Sequence, residues 1–202
     1  MQIAVIGAGR VGTTLGNRWR AGGHEVTYGV RHPHDERHGP LGSVATPGDA
    51  VVGADVVVIA LPWSSVADVT AVIDVGDAVV VDATNPLAAN ARELVAHPEL
   101  SGAQLVAGWT GSRRVVKAFN TTGSANMADP AYPGGQPVMF LAADDEDAKQ
   151  VVAELAGELG FEPVDAGPLS AASDLEHVAA LWIRLAYGLG HGPGIALSLL
   201  RR

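Results

Sequence analysis

Gly7, Gly9 and Gly12 stand at the spacing Gly-X-Gly-X-X-Gly, directly after the apolar run Ile3-Ala4-Val5-Ile6. Glycines so placed serve three purposes: a tight turn, close approach of bare backbone to a pyrophosphate, and room for a helix to pack on a strand. The helical pattern that follows, with Val11, Leu15 and Trp19 on one face, offers free N–H groups and the positive end of its dipole to an anion. A second informative position lies about twenty residues further on, at the end of the next strand, where folds of this kind usually set an acid against the ribose 2′-hydroxyl. This chain has Val30, Arg31 and His32 there. A guanidinium holds a phosphate through two parallel charge-assisted bonds, and nothing in the stretch is placed to chelate a free ribose diol. Loop and arginine together point to a phosphorylated dinucleotide, NADP.

Such groups need a scaffold, and the hydrophobic pattern supplies one. Apolar β-branched runs alternate with helical patterns along the chain, as they do in βαβ units. The expected fold is α/β: a Rossmann-like, doubly wound, mainly parallel sheet with a small C-terminal helical cap. Beyond the first strand and one over 25–29, strands are expected over 55–60, 78–82, 114–119, 138–142 and 162–165. Between the last two, Ala148, Val151, Val152, Leu155, Ala156 and Leu159 share one helical face, with Asp144 expected as its cap and Gly160 as its stop. Residues 171–200 read as an apolar helical tail, with Leu175, Ala179, Trp182 and Ala186 at helical spacing, broken by the glycine-rich run 188–194. The longest irregular piece spans 120–136, and long loops inside compact domains are often binding loops. One domain over 1–202 is therefore expected, with 171–202 packed on it as a C-terminal helical segment.

Composition narrows the function classes. The 202 residues are 48% hydrophobic and 17% charged, enough for a sizeable core and too few for a large added substrate domain. No apolar run reaches the length of a membrane span, and the chain opens on a strand rather than a signal peptide. There is no cysteine, hence no disulfide framework or thiolate nucleophile, and a cytoplasmic setting is expected. A net charge of −9 with scattered basic residues disfavours nucleic acid and anionic membranes as partners. His32, His34 and His38 share a polar loop without a matching carboxylate arrangement, so no metal site is expected.

Ligands in open parallel sheets bind beyond the carboxyl ends of the strands. Those ends here are Leu61-Pro62-Trp63-Ser64-Ser65, Ala83-Thr84-Asn85-Pro86 and Asn120-Thr121-Thr122-Gly123. Ser64 reads equally as a ligand contact or a helix cap. No strand end supplies an evident general acid or base, which an alcohol dehydrogenase would need. Lys117 lies inside a strand, where it either points to the cleft or pairs with an acid. Positioning groups without a strong acid or base suit hydride exchange between two redox cofactors, which carry the chemistry themselves.

The stretches Asp82-Ala83-Thr84-Asn85-Pro86-Leu87, Val116-Lys117-Ala118-Phe119-Asn120-Thr121 and Gly160-Phe161-Glu162-Pro163-Val164-Asp165-Ala166-Gly167-Pro168-Leu169 resemble the NADPH-dependent reductases of the deazaflavin coenzyme F420. The related cytoplasmic domain of the STEAP metalloreductases is similar too. The resemblance implies hydride transfer between the nicotinamide and the deazaflavin, with no catalytic side chain. By position it puts Gly7, Gly9, Arg10, Val11 and Gly12 on the pyrophosphate, and Arg31 with His32 on the 2′-phosphate. Leu61, Pro62 and Trp63, Asn85, and Asn120 with Thr121 would line the two cofactor faces. The chain departs from the family pattern at Arg10, Val30 and Ser173, where the family often has Asn, Ser and Arg. Alternative readings keep NADPH with another acceptor (a flavin, a quinone, an imine or a carbonyl), or make the chain a non-catalytic NADP sensor. The apolar tail adds the expectation of a homodimer through the C-terminal helices.

Overall fold

A computed structural model describes residues 1–88, 94–95 and 99–202. In chain order its elements are β1 (Gln2–Ile6), α1 (Arg10–Ala21), β2 (Glu25–Gly29), β3 (Ser43–Ala45), α2 (Pro47–Ala50), β4 (Val56–Ile59), α3 (Val66–Thr70) and β5 (Val79–Asp82). These are followed by α4 (Gly102–Thr110), β6 (Val115–Lys117), α5 (Ser124–Ala128), β7 (Val138–Ala143), α6 (Glu146–Leu159), β8 (Glu162–Asp165) and α7 (Ala172–Ile183). The strands form one sheet in the order β3-β2-β1-β4-β5-β6-β7-β8. Every neighbouring pair is parallel except β6 and β7, which meet antiparallel through Val116 with Ala143 and Lys117 with Ala142. The chain leaves β1 toward β2 on one side and later returns to β4 on the other. The order therefore reverses between β1 and β4, where such sheets open a crevice.

The sheet is buried on both faces, which is why its central strands read as continuous apolar runs rather than alternating ones. Val56, Val57, Val58 and Ile59 are all fully buried. Successive side chains point to opposite faces, so each strand feeds two cores. Ile3, Val5, Val56 and Val58 pack with Leu15 and Trp19 of α1 and with Val152, Leu155 and Leu159 of α6. Ala4, Ile6, Val57 and Ile59 pack instead with Val66 of α3, Val106 of α4 and Leu175 of α7. The Trp19 indole donates to the Leu155 carbonyl at 3.2 Å, so its one polar atom is satisfied within the core.

Several local expectations need correction. β3 falls in a stretch where no strand was expected; it has one β-branched residue and none of its three residues is buried, so no apolar run announced it. Asp145, not Asp144, caps α6, accepting from the Ala148 N–H at 2.7 Å. Asp144 turns instead to accept from the Leu169 N–H at 2.9 Å. The 120–136 segment is not wholly irregular, since it contains α5. Beyond α7 the helix loosens into one π-type turn over Arg184–Gly188, and nothing helical follows it. The Ile195 carbonyl accepts from both Asn126 Nδ2 and Trp182 Nε1 at 2.8 Å, which fastens the tail to α5 and α7. Among the described residues no helix is long and apolar enough to cross a membrane.

Candidate functional site

β1 ends at Ile6, and the chain turns sharply at Gly7, whose φ of 110° belongs to the region where glycine is favoured. The turn is pinned on both sides: Gly7 N–H donates to the Gly29 carbonyl of β2 at 3.0 Å, and a Cβ on Gly7 would collide with the Ala60 backbone. Gly12 packs so close beneath the turn that a Cβ there would run into the Gly7 carbonyl oxygen and stand 3.1 Å from Val5 Cγ1. Gly9 is the N-cap of α1, and with no side chain to offer it leaves the first-turn N–H groups uncapped. No acid stands in that first turn. An anion placed there meets free donors and the positive end of a twelve-residue helix, so the residues present fit a pyrophosphate. Below, Gly16 makes room for the buried Tyr28 ring, whose hydroxyl donates to Asn17 Oδ1 at 3.2 Å. Burial pushes the Tyr28 hydroxyl up, against the pull of the Arg20 guanidinium.

The end of β2 is shaped by the edge strand that the sequence did not announce. Val30, itself buried, donates its N–H to the Ala45 carbonyl of β3 at 2.9 Å. Gly29 is confined there, since a Cβ would stand 2.6 Å from Ile6 Cδ1 and 3.1 Å from the Pro47 Cα. With the backbone fixed, Arg31 and His32 emerge exposed on one wall of a cleft of about 840 Å³. Gly7, Leu61 and Pro62 line the same cleft. Arg31 makes no ion pair or hydrogen bond with any described residue, so its guanidinium is uncommitted. Arg37, which no sequence signal singled out, and His38, considered from sequence only as a metal ligand, also line the cleft, although Arg37 is held by Asp35 at 3.0 Å.

Trp63 stands apart from this cleft. Its ring packs on Trp109 with centroids 5.5 Å apart and covers Gly102, where a Cβ would lie 3.2 Å from the indole. Ser64 lies in the short 3-10 turn Trp63–Ser65 and caps nothing; Ser65 is the cap residue of α3 and makes no side-chain capping bond either.

At the ends of β5 and β6 the structure brings Asn85 and Asn120 together. Asn85 Nδ2 donates to the Asn120 carbonyl and Asn120 Nδ2 donates to Asn85 Oδ1, each at 3.1 Å. Asn120 Nδ2 also donates to the Leu175 carbonyl of α7 at 3.1 Å, while Asn120 Oδ1 is buried with no hydrogen-bond partner among the described residues. Thr121 is buried beside it, and the preceding Phe119 carries a φ of 59°, rare for a bulky side chain and a sign of backbone held under strain.

Beneath this pair sits a charged cluster that the sequence reading did not assemble. Lys117 points inward and is fully buried. Its Nζ donates to Asp82 Oδ2 at 2.8 Å and to the Thr84 carbonyl at 2.7 Å. Glu176 Oε1 lies 3.2 Å away, close enough for an ion pair but without hydrogen-bond alignment. Asp82 Oδ1 accepts from Thr84 N–H at 2.9 Å and Thr84 Oγ1 at 2.7 Å. Burial pushes the Glu176 carboxyl up, Lys117 opposes that shift, and Asp82 adds to it. A signal for the first two partners existed, because each is the charged last residue of an otherwise apolar strand. Glu176, far along in the tail helix, had none.

Residues 2–86 match the family described as NADP oxidoreductase, coenzyme F420-dependent. The rat metalloreductase STEAP3 is 26% identical over 180 residues, covering 88% of this chain and 36% of its own. The chain thus spans well under half the length of that relative. A crystal structure from Arthrobacter sp. FB24, provisionally described as an F420-dependent NADP reductase, superposes with a TM-score of 0.86 at 28% identity, covering 100% of both chains. A hypothetical protein from Sinorhizobium meliloti is 32% identical, with a TM-score of 0.74 over 100% of this chain and 96% of that one. With likeness running through the whole chain, the protein belongs to the NADP oxidoreductase, coenzyme F420-dependent family.

Proposed function

We propose that the protein transfers a hydride between NADP(H) and the deazaflavin coenzyme F420, acting as one NADP-binding domain over 1–202. The observation that carries this reading is a pairing: an uncommitted Arg31 at the end of β2, and a polar but uncharged Asn85–Asn120 surface at the ends of β5 and β6. When bound, NADPH supplies the hydride from its nicotinamide C4 to C5 of the deazaflavin, and the acceptor also takes up one proton.

The residues supply place and orientation. Gly7, Gly9, Arg10, Val11 and Gly12 form the pyrophosphate loop: Gly7 and Gly12 set the turn and its packing, and the free first-turn N–H groups of α1 receive the anion. Arg31 and His32 hold the 2′-phosphate, and the buried Val30 gives that ribose no acid to bind a free hydroxyl. Leu61 and Pro62 line the nucleotide side, with Trp63 as the apolar link toward α4. Asn85, Asn120 and Thr121 orient the reacting rings. The orphaned Asn120 Oδ1 is an acceptor already stripped of water, suited to an N–H group brought by a ligand. A second copy of the chain covers the exposed apolar side of the tail, where Leu181, Tyr187 and Leu189 are solvent-facing, to give a homodimer.

Mixing the protein with NADPH and oxidised F420 should bleach the deazaflavin absorbance in proportion to the NADPH consumed. Tight NADPH binding without bleaching would reject F420 as the acceptor.

A further inference from the structure

The contacts below the Asn85–Asn120 pair form a closed ring. Glu176 meets Lys117, Lys117 holds the Thr84 carbonyl, and Thr84 leads directly into Asn85. Asn85 is paired with Asn120, and Asn120 grips the carbonyl of Leu175, the residue before Glu176. Three separate elements, β5, β6 and α7, are thereby tied at one point, and the strained Phe119 lies in the short stretch of chain between Lys117 and Asn120. We propose that Glu176 is a positioning residue for the acceptor half of the site, fixing the Asn85–Asn120 amides through Lys117 and Leu175, and that it does so in its protonated form.

The charge balance argues for the proton. Lys117 brings one positive charge from β6 and Asp82 one negative charge from β5, and both are fully buried. The pair is neutral, so an ionised Glu176 would leave one uncompensated charge in a buried pocket, which is costly. Among the described residues, no other element packed against Glu176 brings a titratable side chain: α4 offers only the Gly102 N–H and β7 is wholly apolar. Glu176 is also the least enclosed of the three, with a side chain 6% exposed against 0% for the others, which leaves it the member able to exchange a proton. Burial holding its carboxyl above the ordinary range agrees with this assignment. Ionisation would pull Glu176 and Lys117 into a new balance and strain the hold on Thr84 and Leu175, moving both amides.

This inference rests on the acceptor-side reading above, and its test is chosen to separate the two. Side-chain amide resonances of Asn85 and Asn120, followed by NMR against pH, should move in one step in the wild type and stay still in Glu176→Gln. The rate of hydride transfer in a single turnover should fall as pH rises through the same step, and Glu176→Gln should remove that fall. Glu176→Ala should slow transfer by about a hundredfold, the scale expected for misplaced reactants, with NADPH affinity retained within about twofold. Resonances that titrate alike in the wild type and Glu176→Gln, or a transfer rate unchanged in Glu176→Ala, would overturn the proposal. The amide titration needs no acceptor, so a failure of transfer to F420 would reject the proposed function and leave this inference to stand or fall on the resonances.

Discussion

Arg31→Ala isolates the cofactor assignment, because the side chain it removes has no structural duty. Arg31 is exposed and unpaired among the described residues, and its backbone is set by the Val30 N–H bond to Ala45, which alanine leaves intact. Stability should therefore be unchanged within about 0.5 kcal/mol, as for ordinary surface substitutions. A hydrogen bond to a charged partner contributes about 1.5–3 kcal/mol, and a guanidinium fork makes two to one phosphate. Exposure to solvent and the nearby Arg37 and His38 reduce the net loss. We therefore expect about 1.5–3 kcal/mol in total, a tenfold to roughly hundredfold rise in the NADPH Kd. NADH, which lacks the phosphate, should bind within about twofold of its wild-type affinity, and most of the salt dependence of NADPH binding should disappear. Titration calorimetry with both nucleotides at two ionic strengths measures all three quantities. Arg31→Lys should fall between, since it keeps the charge and loses the fork. Equal losses for NADPH and NADH would refute the phosphate assignment.

Gly12→Ala should destabilise the fold by about 1–3 kcal/mol, the range for overpacking, and abolish dinucleotide binding; denaturant unfolding with near wild-type stability and affinity would contradict the packing beneath Gly7. Lys117→Met leaves Asp82 and Glu176 facing one another in a buried pocket and should cost about 3–5 kcal/mol, partly recovered by adding Asp82→Asn and Glu176→Gln. A loss under about 1 kcal/mol in thermal or chemical unfolding would mean that the cluster is not held as described. Stability itself should depend on pH through Glu176. The folded chain keeps a proton that the unfolded chain releases in the ordinary carboxylate range, so stability falls as pH rises from that range through the raised value and then levels off. Wild-type and Glu176→Gln unfolding free energies that run parallel across that window would count against it.

The parts legible in the sequence are those written in local pattern. The glycine turn follows from spacing, and the five strands expected from the third apolar run onward lie within one or two residues of β4, β5, β6, β7 and β8, because strands buried on both faces leave unbroken β-branched runs. β3 was illegible because its partners, not its residues, make it a strand: Ser43, Val44 and Ala45 pair with Thr27, Tyr28 and Gly29. Yet β3 is what fixes the end of β2 from which Arg31 emerges. In the same way Asn85 and Asn120 could each be named from a strand end, whereas their mutual hydrogen bonds, and the grip on Leu175, depend on where α7 docks. Lys117 could be read either way in isolation; only the register that sets Asp82 beside it decides for the buried pair. Pattern identifies an element's buried face, but which polar atoms meet across elements is settled by tertiary contact.

The ring through Glu176 also dictates an order of assembly. The walls of the proposed nucleotide cleft come from residues up to Val72, so that half of the site draws on a chain segment made early in synthesis, through the pairing of β1, β2, β3 and β4. The Asn120 amide waits for the Leu175 carbonyl, 55 residues further along the chain. A nascent or partly refolded molecule would then bind nucleotide before it can hold an acceptor in place. On the proposed function, docking of α7 becomes the event that separates a dinucleotide-binding protein from one able to pass a hydride on.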